Sequence, residues 1–426
     1  MIERIKSIAL IVLVAMSLLQ SYLLVFRSPT FEEVTQSEYL KAELIGSQQT
    51  VEDLLFPSDI VLHLGQSQHT VLYPGVHYNL IFQRVKQRTF DGFRRNFTQT
   101  LNTEWDNIRN NQAGVELRFR GGIPLNILQR IIQIKGDIPT ENVVITRLWF
   151  FANESKEEVK AFFFTDNPFV VFEATRADLN VKDVETSIGF GKIQTLYHTV
   201  DGVSYLPDDP IPAVQLTMPY VKISGAQLQN NFFVDPGNTR NFRDRDGSDI
   251  YTDGKRGLQV KNEQSWMSYS DPIPQVESHN EVGENLNSAV QFINQHGGWN
   301  GTFIAERIPT VPLVGRQTLQ FRQVLNSLPI IADKKESFGI MRIVLQKGVV
   351  SSYERSLIMM DTRKAEKSER TLPGGQALFD LIAGFSMRDQ LVSVFPAYEP
   401  IVSDKSITFV PVWGSELRDG TYRILK

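Results

Sequence analysis

An apolar run near the N-terminus constrains this chain more than any other feature. Between Ile8 and Phe26 the only interruptions are three polar residues, Ser17, Gln20 and Ser21. A helix needs about 20 apolar residues to cross the hydrocarbon of a bilayer, and this run comes close to that length. Arg4 and Lys6 precede it, and positive charge stays preferentially on the cytoplasmic side. The run therefore predicts a single transmembrane helix that places the rest of the chain outside.

A cleavable signal peptide is the alternative to a retained anchor. Such a signal has a shorter apolar core, of about 7–15 residues, followed by small residues at the cleavage site. Here the run ends in Leu23, Leu24, Val25, Phe26 and Arg27, with no such site. The sequence thus favours a cytoplasmic start over residues 1–7 and an uncleaved anchor over residues 8–26. The protein is then a single-pass protein of the cell membrane, with the bulk of the chain extracytoplasmic.

One face of the predicted helix carries polar side chains. Ser17, Gln20, Ser21 and Leu24 are three or four residues apart, so they share one face. A side-chain amide in lipid lacks hydrogen-bond partners, and contact with another helix would supply them. The alternative is that Gln20 lies near the outer interface and reaches headgroups or water. We take these four residues as the candidate surface for a partner helix.

Composition limits what the remaining part of the chain can be. About 400 residues follow the run, and the whole chain is 42% hydrophobic with 27 Phe, so one core is too small for it and two or three domains are expected. Nucleic-acid binding needs a basic domain or a clustered stripe of Lys and Arg, and a net charge of -4 does not indicate one, so we expect no nucleic-acid partner. The absence of cysteine excludes disulfides, so stability must come from core burial and sheet pairing.

The first two regions after the anchor are rich in strand patterns. Over residues 28–185, "DIVLHLGQSQHTVLYPG" predicts a hairpin, and so do the aromatic runs over residues 143–165. Between them, "FRRNFTQTLNTEWDNI" predicts an amphipathic helix because its apolar residues recur at steps of three and four: Phe93, Phe97, Leu101, Trp105 and Ile108. Over residues 186–281, "DGSDIYTDGKRG" predicts tight turns around a short strand.

The third region, residues 282–426, alternates helices with hairpins. "ENLNSAVQFINQHGGW" predicts a helix that ends at Gly297 and Gly298, and "RQTLQFRQVLNSLPII" also begins helically. A hairpin should turn at Lys347 and Gly348, and a charged linker follows over residues 361–370. "LPGGQALFDLIAG" predicts another helix, and a last hairpin turns at Asp419 and Gly420. This order indicates an α+β fold with helices packed on antiparallel sheets.

The sequence carries no recognisable catalytic or metal-binding motif. It has no cysteine nucleophile and lacks G-x-S-x-G, S-x-x-K, H-E-x-x-H and the phosphate loop G-x-x-x-x-G-K-[ST]. His63 and His69 could meet across a hairpin and bind a metal, but histidines that are on the surface or half-buried in a strand are more common. A calcium loop beginning at Asp244 would need Gly at Asp249 and Glu at Lys255. We predict no enzyme activity, no cofactor and no metal.

Three stretches together carry a family resemblance. They are "FFVDPGNTRNFRDRDGSDIYTDGKRGLQV", "QSWMSYSDP" and the terminal "ITFVPVWGSELRDGTYRI". With the N-terminal anchor and the cysteine-free exterior, the chain resembles the YycH family, also called WalH, over essentially its whole length. Members of that family accompany the WalK-WalR (YycG-YycF) two-component system of Gram-positive bacteria.

The resemblance implies a function and an architecture. It implies a regulator that tunes the sensor histidine kinase WalK, or YycG, together with an anchored YycI-like partner, and so affects cell-wall homeostasis. It also implies three extracytoplasmic α+β domains, which we place at residues 28–185, 186–281 and 282–426, and a membrane helix that contacts the kinase helices. The direction of regulation is left open.

A wall-binding module is the alternative function. An exported protein that recognises glycan or peptide would present a concave aromatic cluster with convergent polar groups. Trp266, Trp299 and Trp413 are the residues that such a cluster could use, although a buried core position is the more common place for each.

Overall fold

The computed structural model describes residues 2–26, 44–99, 101, 104–136, 143–153, 157–199, 201–261, 263, 265–272, 281–309, 315–332 and 338–426. The chain divides into two compact units, Met1–Leu40 and Lys41–Lys426.

The first unit contains helix α1, Ile2–Phe26, which has 25 residues. Its described side chains are those of Lys6, Leu10 and residues 12–22, all exposed. Among the residues that the structure describes, no helix is both long enough and apolar enough to cross a membrane. The cytoplasmic start over residues 1–7 and the anchor over residues 8–26 stay predictions.

The second unit begins with a ten-stranded sheet, the first sheet. Its strand order is β10-β9-β2-β1-β4-β6-β7-β8-β3-β5, and every pair is antiparallel except β3 with β5. The strands are β1 (Asp59–Gly65), β2 (Gln68–Leu72), β3 (Thr89–Phe97), β4 (Gly114–Pro124), β5 (Gln133–Ile134), β6 (Val144–Asn153), β7 (Glu158–Thr165), β8 (Val170–Ala177), β9 (Tyr197–Thr199) and β10 (Tyr205–Pro207).

A second sheet of nine strands has the order β12-β13-β14-β15-β20-β19-β17-β16, with β18 added to β17. Its strands are β12 (Arg240–Arg243), β13 (Asp249–Thr252), β14 (Gly257–Lys261), β15 (Trp266–Ser270), β16 (Thr302–Arg307), β17 (Gln317–Leu325), β18 (Leu328–Pro329), β19 (Ile340–Gln346) and β20 (Val349–Ser356).

A third sheet of six strands is built around the long strands β11, β24 and β23. Strands β21 and β22 pair with β11, and β25 pairs with β24. The bounds are β11 (Ile211–Lys222), β21 (Ile358–Met360), β22 (Glu366–Leu372), β23 (Leu391–Val402), β24 (Ser406–Leu417) and β25 (Tyr422–Ile424). The strands of the predicted middle region, residues 186–281, are thus distributed over all three sheets, and the three-domain boundaries stay predictions.

Helices pack on the sheets, as an α+β fold requires. They are α2 (Val76–Lys86), α3 (Trp105–Asn111), α4 (Leu125–Leu128), α5 (Val181–Gly191), α6 (Gly225–Phe232), α7 (Val282–Gln295) and α8 (Gly375–Gly384). One large cluster of buried apolar side chains extends from the first sheet, at Leu62 and Phe150, through α7 at Leu286 to Ile343 in the second sheet. The third sheet contributes to separate clusters, such as that around Trp413.

The predicted hairpins are confirmed. β1 with β2, β6 with β7, β19 with β20, and β24 with β25 all pair antiparallel. At the turn between β19 and β20, Lys347 and Gly348 both have positive φ, 51° and 72°. Two successive positive φ angles match the twist of paired strands, which explains why this dipeptide turns the chain. The helices predicted before Gly297 and after Pro373 are also confirmed, as α7 and α8.

Three predictions of local structure are wrong. The helix predicted from Phe93 to Ile108 is strand β3 followed, after a break, by the short helix α3, Trp105–Asn111. Residues spaced by four share one face of a strand as well as of a helix, so Phe93 and Phe97 did not distinguish the two. Phe93 packs edge to face on Phe163 of β7, a contact made within the sheet.

The other two wrong predictions concern strands with polar residues. The segment predicted to begin helically at residue 316 is strand β17, which pairs with β16 on one side and β19 on the other. The charged linker over residues 361–370 contains the start of β22, which pairs with β11 although its first six residues are exposed. Backbone pairing holds this strand, and charged side chains are common on sheet edges.

Candidate functional site

The predicted partner-helix face lies on α1. Ser17, Gln20 and Ser21 have exposed side chains, and the backbone of Leu24 continues the same helix one turn later. Their spacing brings all four residues to one face, while the side chain of Leu24 lies outside the described set. The role of this face stays a prediction.

His63 and His69 do meet, as the hairpin pattern suggested. They face each other across β1 and β2, with 3.1 Å between their Nδ1 atoms, and both are buried. The Nε2 atom of His63 lies 3.3 Å from Glu116 Oε2 on β4. The two ring nitrogens of His63 thus contact different partners, His69 and Glu116, on opposite sides of the ring. Among the described residues no group of three or more His, Asp or Glu is arranged to hold a metal ion.

Glu116 belongs to a polar row on one face of the first sheet. Strand β4 directs alternate residues to opposite faces, so its apolar residues enter the main core and its charged residues lie opposite: Val115, Leu117 and Phe119 on one face, Glu116, Arg118 and Arg120 on the other. The strand register places Arg118 opposite Asp59 of β1 and opposite Arg147 of β6. The pleat of the sheet thus gathers these charges.

Two buried carboxylates hold the arginines of this row. Asp59 accepts hydrogen bonds from Arg118 and, at 3.4 Å, from Arg120. Glu116 accepts one from Arg147 at 3.3 Å. Asp59 is 2% exposed and Glu116 is fully buried, so each carboxylate depends on these partners in place of water.

A cleft of about 1080 Å³ opens over this face of the first sheet. Strands β4 and β6 form part of its lining, with Arg118, Arg147 and Trp149. Trp105 and Arg109 of α3 and the loop over residues 201–205 form another part. The third sheet closes it with residues 392–394 and the turn over residues 416–420. All of these residues belong to the second unit.

Burial and the neighbouring charges set the protonation of the buried groups. Burial lowers the pKa of His63, and burial together with the charge of His63 lowers the pKa of His69 to about 4. Burial alone would raise the pKa of Glu116, but the Arg147 guanidinium and the hydrogen bond with His63 lower it to about 2. At neutral pH both histidines are therefore uncharged and Glu116 is ionised. A carboxylate with this pKa is too weak a base for general base catalysis.

Acid will destabilise the protein through these histidines, and a His69→Gln variant will show a weaker pH dependence. In the unfolded chain His69 titrates near pH 6.5, but in the folded protein only near pH 4. The unfolded chain therefore binds more protons as the pH falls below about 6.5, and the free energy of unfolding decreases. The His69 contribution is about 1–2 kcal/mol after allowance for solvent screening. Urea unfolding at pH 7 and pH 4.5 measures it, and equal pH dependence of the two proteins would contradict it.

The other residues that the sequence offered as candidates lie in turns or in the core. Asp246, which would be the third ligand of a calcium loop beginning at Asp244, accepts hydrogen bonds from the backbone and hydroxyl of Ser248 in the turn between β12 and β13. Trp266, Trp299 and Trp413 are 1%, 1% and 2% exposed, so none of them contributes to an exposed aromatic surface. The concave aromatic cluster of the wall-binding alternative is not formed by these three residues.

Sequence reasoning missed the polar row and the cleft above it. The signal was the alternation in "VELRFRGG", where each apolar residue is followed by a charged one, together with "TRLWFF" on the neighbouring strand. Alternation predicts a strand with one apolar and one polar face. It did not indicate that the polar face would also be covered, because much of that cover comes from the loop over residues 201–205 and from the third sheet, both far away in the sequence.

Two family models match nearly the whole chain. The model described as YycH protein, N-terminal domain, matches residues 3–188, and that described as YycH protein, C-terminal domain, matches residues 203–424. The chain belongs to the YycH family. The cleft is lined by residues of both matches, since Arg118 and Arg147 lie in the first YycH match and residues 392–394 in the second.

Similarity to YycH of Bacillus subtilis, in sequence and in structure, agrees with this assignment. The "Two-component system WalR/WalK regulatory protein YycH" of Bacillus subtilis (strain 168) is 20% identical over 453 aligned positions, which cover 100% of this chain and 96% of that protein. The crystal structure of YycH from Bacillus subtilis has a TM-score of 0.70 at 17% identity and covers 90% of this chain and 99% of that one. The second similarity concerns the fold, and it confirms the mixed α+β class.

Proposed function

We propose that this chain is a non-catalytic, membrane-anchored regulator of a sensor histidine kinase of the WalK type. The observation that carries the proposal is the full-length relationship to the Bacillus subtilis protein, which is named as a WalR/WalK regulatory protein. The family matches run in the same order along this chain and leave only short segments unmatched. Regulation of such a kinase would affect cell-wall homeostasis.

The proposed anchor is residues 8–26, with residues 1–7 in the cytoplasm and three α+β domains outside. The apolar composition of the run supports it. So does the length of α1, because 25 residues at about 1.5 Å each extend over about 37 Å, and the hydrocarbon layer is about 30 Å thick. The exposed apolar side chains of α1, such as Leu13 at 64% and Leu18 at 66%, are suited to contact lipid.

We further propose that the face formed by Ser17, Gln20, Ser21 and Leu24 contacts the membrane helices of the kinase and of a YycI-like partner. Interhelical hydrogen bonds and close approach of small residues are what hold helices together in lipid. Gln20 offers two donors and an acceptor, and the two serines on either side of it allow close approach.

Regulation without turnover requires a difference in affinity. A bound protein shifts the kinase only to the extent that it binds one kinase state more tightly than the other. A coupling of about 1–3 kcal/mol, as in many allosteric proteins, would change the population ratio about 5–150-fold. Restriction of both partners to one membrane raises their effective concentration, so modest helix contacts are sufficient.

The proposal is tested by separating the helix from the exterior in cells. We expect the chain without Met1–Phe26, exported behind a cleavable signal peptide, to lose regulation as completely as a deletion of the whole gene. Kinase autophosphorylation in isolated membranes is the measurement, with export checked in the medium. Normal regulation by the secreted exterior would contradict the anchored mechanism. A third chain, in which an unrelated transmembrane helix replaces Met1–Phe26, separates tethering from helix contact. If tethering were sufficient, this chain would regulate the kinase normally, and if helix contact is required, it would not.

A single substitution then tests the helix face. Gln20→Leu should reduce the amount of kinase that co-purifies in mild detergent. Tyr22→Leu is the matched control, because Tyr22 lies about 200° around the helix from Gln20 and its replacement by leucine also removes a hydrogen-bonding group. Equal recovery of the kinase with both variants would exclude Gln20 as a contact.

A further inference from the structure

Buried polar atoms without a protein partner gather at the cleft over the first sheet. Among the described residues, the Nε1 atom of Trp105, the Nε atom of Arg109 and the hydroxyl of Tyr205 are buried and make no hydrogen bond. All three residues line the cleft. Buried polar groups in folded proteins are nearly always paired, so several orphans in one place indicate a missing partner.

The arginines of the cleft have donors to spare. A guanidinium group carries five N–H donors. The side chain of Arg147 donates one hydrogen bond, to Glu116, and its guanidinium lies 4.3 Å from the ring centroid of Phe164. Arg109 is only 8% exposed, and its ion-pair partner Asp106 has a side chain that is 89% exposed. Water already solvates that carboxylate, so it balances Arg109 weakly.

Buried arginines elsewhere in the chain are treated differently. Arg355 in the second sheet is 1% exposed and donates to Gly298 O, Asn300 Oδ1 and Ser356 O. Arg322 is 4% exposed and is bound by Glu306 and by Ile330 O. Arg322 is paired with the buried Glu306, with 2.8 Å between Nε and Oε2, although its Nε atom also lacks a hydrogen bond. Arg109 is instead paired with the exposed Asp106, and the side chain of Arg147 is 23% exposed to the cleft side of the sheet.

Aromatic and aliphatic groups stand beside these donors. Trp105 packs edge to face on Phe164, with 5.1 Å between the ring centroids, and both line the cleft. Val394 and Leu417 line it from the third sheet. Guanidinium groups recognise carboxylate and phosphate oxygens, and aromatic rings hold apolar groups. The volume of about 1080 Å³ is sufficient for a small organic molecule.

We propose that this cleft binds a small organic anion, which carries a carboxylate or phosphate group beside an aromatic or aliphatic group. Arg109 and Arg147 bind the oxyanion, and the hydroxyl of Tyr205 donates a further hydrogen bond to it. The apolar part of the ligand lies between Trp105 and Phe164 and the third sheet. Because residues from both the N-terminal and the C-terminal YycH match line the cleft, the ligand contacts both parts of the chain. Binding is independent of the proposed kinase regulation and is measurable without the kinase.

The test is isothermal titration calorimetry on the full-length chain in detergent, with detergent blanks. The probes are 3-phenylpropionate and phenyl phosphate, with neutral 3-phenylpropionamide and inorganic phosphate as controls. We expect at least one aromatic anion to bind with a Kd below about 1 mM and at least tenfold more tightly than either control. The tighter of the two anions identifies the preferred oxyanion. Binding of both anions no tighter than the neutral amide would overturn the proposal.

Substitutions locate the binding in the cleft. Arg147→Gln should weaken anion binding at least tenfold, because it removes charge-assisted hydrogen bonds. Arg176→Gln is the matched control, since the side chain of Arg176 on β8 is 74% exposed and does not line the cleft. Equal affinity of both variants and the unaltered chain would overturn the assignment.

A second pair of variants avoids the buried ion pair. Val392 lines the cleft and is 41% exposed, so its replacement leaves the cores intact. Val392→Lys should strengthen and Val392→Glu should weaken anion binding by a few fold at low salt, without changing the affinity for the neutral amide. Anion affinities that do not differ between these two variants would contradict the proposed site.

Discussion

Glu116→Ala will lower the free energy of unfolding by about 3–5 kcal/mol. Glu116 is fully buried and contacts both His63 and Arg147. Its removal leaves the Arg147 guanidinium without its counter-charge and the Nε2 atom of His63 without its acceptor. Urea unfolding followed by tryptophan fluorescence measures the loss, since Trp149 lies directly opposite Glu116 in the strand register.

Glu158→Ala is the matched control for Glu116→Ala. Glu158 is at the exposed start of β7, and its replacement should change the free energy of unfolding by no more than about 0.5 kcal/mol. A double variant, Glu116→Leu with Arg147→Leu, should recover much of the loss, because it removes both charges together. If Glu116→Ala were no more destabilising than Glu158→Ala, the buried ion pair would have no role in stability.

Trp299→Ala will destabilise the protein by about 3–5 kcal/mol. The indole of Trp299 is 1% exposed and packs edge to face on Phe303 and Phe321. Its Nε1 atom donates to Asn294 Oδ1 at 2.9 Å. The substitution therefore leaves a large cavity in the main core and removes one of the two hydrogen bonds that Asn294 Oδ1 accepts, the other coming from the backbone N–H of Gln49.

Trp299→Phe separates these two contributions. It keeps most of the apolar volume and loses the hydrogen bond, so we expect a loss of about 1–2 kcal/mol. Thermal unfolding of the three proteins gives the order. A ligand-binding tryptophan on the surface would behave differently, since its replacement by alanine would leave the melting temperature unchanged. That result would reopen the wall-binding alternative.

Local sequence signals were sufficient where the chain turns or where one element buries one face. The Lys347-Gly348 pair predicts its hairpin because both residues adopt positive φ. The 3.6-residue periodicity of α7 and the two glycines after it predict the helix and its end. The predicted α+β class rested on such elements, and the match to the Bacillus subtilis structure confirms it.

Signals failed where partners distant in sequence decide the structure. The segment that begins at Phe93 satisfies a helical period, but β8 supplies backbone partners some 80 residues later and a strand forms. Strand β22 looks like a linker because its side chains are charged and exposed, and only its pairing with β11 reveals it. The polar face of β4 was recognisable as alternation, whereas its cover was not. Propensity is a weak guide when tertiary pairing competes with it.

The continuous core has a mechanical consequence for the cleft. Since one apolar cluster fills the space from Leu62 in the first sheet to Ile343 in the second, those two sheets form a common base that resists bending. The third sheet meets this base through smaller clusters, which include Leu206 of β10 and Leu328 of β18, and through stacking of Arg120 on Phe395, 3.5 Å from the ring centroid. A displacement of the third sheet that widened or narrowed the cleft would therefore have to disturb these smaller clusters and the stacked pair.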